Sequence, residues 1–352
     1  PHRLGLIPTG WDPIALSLAA DGRALFVVNS KGTGGRSTLE RIELGRLNLR
    51  RSTSLALASL RRIVRAGDDP LVPQRFGTPS HVFRHVVQLS IGPATYDDVF
   101  GDLTSSTPAV DGAAVTPNLH ALAHRFALAG NFYPALDPGA GRTLALAGIT
   151  TLASRRALLA RSGNGLGMQQ DPEDYPRAGY LFNTLALAGK SFRDYGDLLD
   201  LSGYRVGADD DPPGLGGSYA FDVPALAALA GHVDLAYPAS DPGISDGVRA
   251  NEFVRDYEGL AARGRAPQYA DVWLPGAAAA GGIAAEDRAI GQIVAAISHG
   301  PTWATTAIFI APVAGGISEN GDRLRGFALV VSPYARTATI EETHLSPESI
   351  LK

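Results

Sequence analysis

The sequence contains no cysteine, which excludes disulfides, thiolate metal sites and a cysteine nucleophile. Lysine is nearly missing: Lys31, Lys190 and Lys352 are the only ones, so almost all positive charge is arginine. With the abundant alanine and glycine, this reflects a GC-rich coding sequence rather than a function. No run of about 18 uncharged apolar residues occurs, so no transmembrane helix is expected. The most apolar stretch, 143–160, is interrupted by Arg155 and Arg156. No signal peptide is visible. Pro1 is not a natural start, so an upstream segment is expected to have been cleaved or left out. There is no P-loop, no dinucleotide fingerprint and no Ser-His-Asp arrangement. The net charge of −4 gives no overall pull toward nucleic acid or anionic membrane. What is there is length: 352 residues, 45% hydrophobic and 19% charged, enough for one large α/β domain or a domain with an appendage.

The most informative stretch is His85–Leu103. Val86–Ile91 is a short apolar run rich in β-branched residues, and Gly92-Pro93 breaks it. This reads as a buried strand ending in a turn. Ligands in open α/β sheets collect just beyond the carboxyl ends of strands, so Gly92–Thr95 is where a site is expected.

Upstream, Leu16–Leu18 and Ala24–Val28 are strand-like runs around an Asp21-Gly22 hairpin signal. Residues 36–82 read as a connector, with an Arg-rich helical pattern over 44–66 and extended chain after Asp68. From residue 83 to 352, strand-like and helix-like segments alternate. Helices are expected at 118–128, 143–160, 179–188, 248–263 and 285–298. Strands are expected at 131–133, 191–195, 269–274, 306–310 and 328–331. That alternation predicts an α/β fold, a mainly parallel sheet sandwiched by helices. The Gly/Pro/Asp-rich stretch 206–217 is expected to be a surface loop.

The stretch Thr95-Tyr96-Asp97, then Val99-Phe100-Gly101, resembles the opening of the catalytic domain in the bacterial phosphoesterase family of phospholipase C and acid phosphatase enzymes, which has an alkaline-phosphatase-like fold. The resemblance runs over roughly residues 80–350. It continues through Val115-Thr116-Pro117-Asn118, Asn131-Phe132-Tyr133, Gly179-Tyr180-Leu181, Tyr195-Gly196, Gly231-His232-Val233-Asp234, Leu274-Pro275, Ala307-Ile308-Phe309 and Val331-Ser332-Pro333-Tyr334. The N-terminal pattern Pro8–Pro13 followed by Asp21–Asn29 resembles one blade of a YncE-like β-propeller, a domain that precedes this phosphoesterase in bacterial fusions. The implied organisation is a blade-like segment at 1–35, a connector at 36–82 and a phosphoesterase-like domain at 83–352. A simple terminal β-hairpin is the alternative for the first. The family implies a periplasmic or extracellular location.

Enzymes of that family use a hydroxyl nucleophile and bound divalent metal, such as Ca, Mn or Zn, held by carboxylate, Asn or His side chains on loops after successive strands. The chain departs from that pattern loop by loop. The family's metal-binding Glu and its neighbouring Asn fall at Gly92 and Pro93; the Ser nucleophile falls at Gly139; an Asn-Asp-His run falls at Gly276, Ala277 and Ala278. The last acidic loop is Ala311–Gly316, followed by Glu319, Asn320 and Asp322. Losing nucleophile and charge stabilisation together removes orders of magnitude in rate. The expectation is a pseudoenzyme without a cofactor, working through a protein partner or self-assembly.

Two other readings stand beside it. One is a hydrolase with a relocated site, with Thr95 or Thr143 as nucleophile and Glu319 and Asp322 as metal ligands. The other is an anion or lipid binder using Arg142, Thr143 and the connector arginines, with Gly139–Gly141 as a Gly-rich turn at a helix start. His120 and His124 have metal-compatible i, i+4 spacing without a nearby carboxylate, and solvent exposure is the simpler expectation. Asp97 and Asp98 read as turn and helix-start groups.

Overall fold

The computed structural model describes residues 13–19, 21–29, 38–43, 82–104, 109–135, 137–151, 176, 179–198, 227–238, 243–276, 281–316 and 322–351. The chain divides into two compact units, Pro1–Phe76 and Gly77–Lys352.

In the first unit, β1 (Pro13–Leu18), β2 (Ala24–Asn29) and β3 (Thr38–Glu43) form a three-stranded antiparallel sheet with β2 in the middle. The Asp21-Gly22 hairpin forms as expected. Gly22 adopts φ +65, its amide donates to the Ala19 carbonyl, and the Asp21 side chain accepts from the Arg23 amide. Ala24 and Val27 on β2 are fully buried. The third strand lies in what the sequence pattern assigned to the connector. The Arg-rich run over 44–66 lies outside the described residues.

In the second unit, seven strands take the order β10-β5-β9-β8-β4-β7-β6. These are β4 (His85–Ile91), β5 (Ala127–Phe132), β6 (Phe192–Tyr195), β7 (Tyr269–Leu274), β8 (Thr306–Pro312), β9 (Gly326–Val331) and β10 (Thr339–Glu341). All pairings are parallel except those of β9, which runs antiparallel to β5 and β8. The helices are α1 (Tyr96–Thr104), α2 (Pro117–Arg125), α3 (Pro138–Ala147), α4 (Leu181–Leu187), α5 (Asp246–Ala262), α6 (Gly282–His299) and α7 (Pro347–Leu351). The mainly parallel, helix-covered sheet expected from the alternation is the one observed.

Central strands of such a sheet are covered on both faces, and β7 is buried at all six positions. On one face, Val87, Leu89 and Ile91 of β4, Val272 of β7 and Ile308 and Ile310 of β8 join α1, α2, α5 and α6 in the main core. On the other, Leu146 of α3 and Phe182 of α4 pack with Phe192 and Tyr269. Both edge strands are short, three residues in β10 and four in β6. Irregular chain adds one bridge at Val233 to Asp194 of the edge strand β6 and one at Leu345 to Phe132 of β5, beside β10.

Several boundaries differ from the sequence pattern. The expected 118–128 helix ends at Arg125, and Ala127 and Leu128 belong to β5. The helix expected from residue 143 starts at Pro138, because Asp137 caps it through the Ala140 amide and Pro138 suits the first turn. It stops at Gly148, which takes φ +66. Helix α2 does begin after Thr116, yet its cap comes from afar. The Asp287 carboxylate of α6 accepts from the Asn118 amide at 3.1 Å and the Leu119 amide at 2.8 Å. Thr116 donates its hydroxyl to the Asp111 carbonyl instead. No described helix is long and apolar enough to cross a membrane.

Candidate functional site

Strands β4, β7 and β8 lie side by side, so their carboxyl ends bring together Gly92, Gly276 and Val313–Gly315. Main-chain hydrogen bonds stitch this edge. The Val313 amide donates to Ile91, Ala94 to Ala314, Gly315 to Ala135 and Tyr96 to Arg325. The glycines are required by close approach. A Cβ on Gly92 would stand 2.8 Å from the Pro275 carbonyl carbon and 3.0 Å from the Gly276 Cα. One on Gly141 of α3 would stand 2.5 Å from the Val313 carbonyl carbon, and one on Gly315 would overlap the Arg323 carbonyl oxygen. Backbone therefore fills the space that a side chain at Gly92, Gly141 or Gly315 would need.

Two carboxylates do reach this edge, from beneath it. Glu286 Oε1 accepts from the Gly92 amide at 2.8 Å, and Asp246 Oδ2 accepts from the Gly276 amide at 2.9 Å. Both side chains are buried. Burial pushes the Glu286 carboxyl well above its usual range, and the neighbouring Asp246 adds to that. Asp246 is pushed up to about 6, by burial against the opposing pull of Arg249. They hold the turns rather than face solvent.

The positions where the family resemblance expects metal donors are then plain. Gly92, Pro93 and Gly139 offer no side-chain donor, and Ala277, Ala278 and Glu319 lie outside the described residues. Asp322 is half-buried. Its amide donates to Asp97 at 2.9 Å, its Oδ1 accepts from the Leu324 amide at 3.0 Å, and Tyr133 O–H reaches Oδ2 at 3.4 Å. Arg325 lies 3.5 Å from Asp97 and stacks over Tyr96. Among the described residues, no group of three or more His, Asp or Glu side chains is arranged to hold a metal ion. The described residues at this edge do not supply a donor set that would fit a divalent metal.

Thr95 is fully buried at the start of α1. Its Oγ1 accepts from the Asp98 amide at 3.1 Å and donates to the Asp98 carboxylate at 2.6 Å, a helix cap. Asp97 and Asp98 accordingly stand in the first turn of α1, as the pattern suggested. Thr143 is also fully buried, its hydroxyl donating to the Gly139 carbonyl at 3.2 Å. Arg142 lies in the second turn of α3. It is buried, its Nε donates to Asp197 Oδ1 at 2.5 Å, and its guanidinium lies 4.8 Å over the Trp273 ring. His120 and His124 do not converge. His124 is exposed, whereas His120, expected at the surface, is buried and bonded to Asp102 at 3.0 Å. His232 stacks on Phe192. Asp234 is pushed up to about 7 by burial and by Asp256 and Glu252.

Sequence reasoning missed the carboxylates Asp194, Asp197, Asp271 and Glu286, all buried. A signal existed for two of them: an acid in the middle of an otherwise strand-like run, Phe192–Tyr195 and Tyr269–Leu274.

The sheet order, its one antiparallel strand and the helices on both faces define an alkaline-phosphatase-like α/β fold. No protein-family model and no curated protein sequence matches the chain. Solved structures do. One is a protein in the alkaline phosphatase superfamily from Vibrio parahaemolyticus, at 13% identity, 80% of this chain, 70% of that one and a TM-score of 0.50. Another is the lipoteichoic acid synthase LtaP from Listeria monocytogenes, at 12% identity, 79% of this chain, 72% of that one and a TM-score of 0.50. At that identity the likeness is one of fold.

Proposed function

We propose that this chain is a phosphoesterase-like protein, of the phospholipase C and acid phosphatase type, that has given up hydrolysis and serves as a structural or binding subunit. One observation carries the reading: the carboxyl edge at β4, β7 and β8 is closed by backbone packed onto Gly92, Gly141 and Gly315. Hydrolysis in this fold class needs an oxygen nucleophile beside charge stabilisation. Here the two candidate hydroxyls, Thr95 and Thr143, are buried and bonded to Asp98 and to the Gly139 carbonyl. The reading extends to an exported protein that works with a protein partner or with copies of itself, and to an N-terminal sheet descended from a propeller blade.

The test is metal content of the natively purified protein with turnover of a phosphomonoester and a phosphodiester, with and without added Mn²⁺, Ca²⁺ or Zn²⁺. No metal and no turnover are expected. Stoichiometric metal with turnover that falls on Thr95→Ala or Thr143→Ala would replace this reading by the relocated-site hydrolase. The half-buried Asp97 and Asp322 with the buried Tyr133 are the place such a site would start from.

A further inference from the structure

Beneath α3, the sheet carries a polar row where apolar residues are the rule. Gln88 on β4, Asp271 on β7 and Asp194 on β6 stand in register on adjacent parallel strands. Asp197, just after β6, closes the group, its amide donating to Asp194 Oδ1 at 3.2 Å. All three aspartates have 0% exposure. Few of the described groups face them. Arg142 of α3 pairs with Asp197 and also donates to the Gly196 carbonyl. Tyr269 O–H lies 3.2 Å from Gln88 Oε1 and 3.4 Å from Asp271 Oδ1. Gln88 spends its amide on the Ala145 carbonyl of α3. Tyr237 stands nearby and donates to the Trp273 carbonyl. One oxygen on each aspartate, Oδ2, has no hydrogen-bond partner.

Among the described residues, three carboxylates thus share one guanidinium, and all three are fully buried. Two uncompensated buried charges would cost more than the fold can supply, and a group in that position takes up a proton instead. We infer that Arg142, Asp194, Asp197 and Asp271 form a proton-loaded lock that holds α3, and with it the closed carboxyl edge, and that rising pH loosens it. Burial pushes Asp194 and Asp271 well above the usual carboxylate range, and the charge of Asp197 pushes both further. An acid whose proton is held more tightly in the folded chain favours folding most at low pH, and that advantage is lost as pH rises. The link to the edge is α3 itself. Arg142 is the residue after Gly141, the glycine that packs on the Val313 carbonyl.

The experiment is hydrogen exchange of the α3 amides in the full chain from pH 5 to 9, corrected for intrinsic rates. Wild type should lose α3 protection as pH rises. Asp271→Asn, which keeps the neutral form, should protect α3 at least tenfold better than wild type at pH 8, one unit of proton affinity being tenfold. It should also flatten the pH dependence. Asp194→Asn should act in the same direction. Asp197→Asn, which takes the partner from Arg142, should lose protection at every pH. Protection in wild type that does not change with pH would overturn the inference. So would Asp271→Asn and Asp194→Asn chains that are both less protected than wild type at pH 8, or that both fail to fold, since the charged form would then be the one required.

Discussion

Placing one methyl group at Gly92 should break the carboxyl edge. The Cβ of Gly92→Ala would stand 2.8 Å from the Pro275 carbonyl carbon and 3.0 Å from the Gly276 Cα. Ordinary contacts there are roughly half an ångström longer, and both obstacles are backbone rather than the end of a flexible side chain. The turn after β7 cannot retreat freely, because the Gly276 amide is held by Asp246 and its carbonyl neighbour is fixed by the strand. Overpacking of this kind costs about 3 kcal/mol. For a unit of this size that is a fall of roughly 6–12 °C in Tm. Gly141→Ala should do the same against Val313. The control is Gly259→Ala inside α5, where the new Cβ meets only the Arg263 guanidinium at 3.6 Å. That variant should gain about 0.5–1 kcal/mol from helix propensity. The assay is urea and thermal unfolding followed by circular dichroism. Gly92→Ala and Gly141→Ala chains as stable as wild type would refute the closed edge, and with it the main support for lost hydrolysis. By the same reasoning Gly92→Glu, which puts the family's carboxylate back, should not restore metal binding by calorimetry.

Asp287→Ala removes the acceptor for two amides at the start of α2 and should cost about 2–4 kcal/mol in urea unfolding. Thr95→Ala removes a helix cap, so a loss of about 1 kcal/mol is expected, with the spectrum of bound ligands or partners unchanged in pull-down. Asp246, raised to about 6 from 3.8, favours the folded state fully below pH 4 and loses that contribution as pH climbs to 6. The loss is about 3 kcal/mol, and Asp246→Asn should flatten the urea midpoint between those pH values.

The strands of the sheet were legible in the sequence wherever an apolar run was bounded by Gly or Pro. Tyr269–Leu274 is found to the residue, since Pro275-Gly276 ends it. Helix α3 was misplaced because Pro138–Arg142 contains two glycines, which lower helix propensity, while its cap at Asp137 and its packing against Val313 decide the outcome. That Gly92, Pro93 and Gly139 carry no metal-ligating or nucleophilic side chain could be read directly. That Gly92 and Gly141 pack onto backbone could not, because the clash partner of each lies far away in sequence: Pro275 for Gly92, Val313 for Gly141. The partner of Arg142 was hidden for a related reason. That partner, Asp197, sits 55 residues further on.

The two edges of the large sheet have a consequence for the protein's life in crowded solution. The four-residue β6 is already touched by irregular chain at Val233, and at the other edge the three-residue β10 is followed by Leu345, which bridges to Phe132 of β5, so almost no row of open amides and carbonyls is left for a second chain to copy. This sheet is therefore ill suited to growing by strand addition. The second unit should resist ordered aggregation through its edges at high concentration, and a companion that binds it would have to grip side chains rather than extend the sheet.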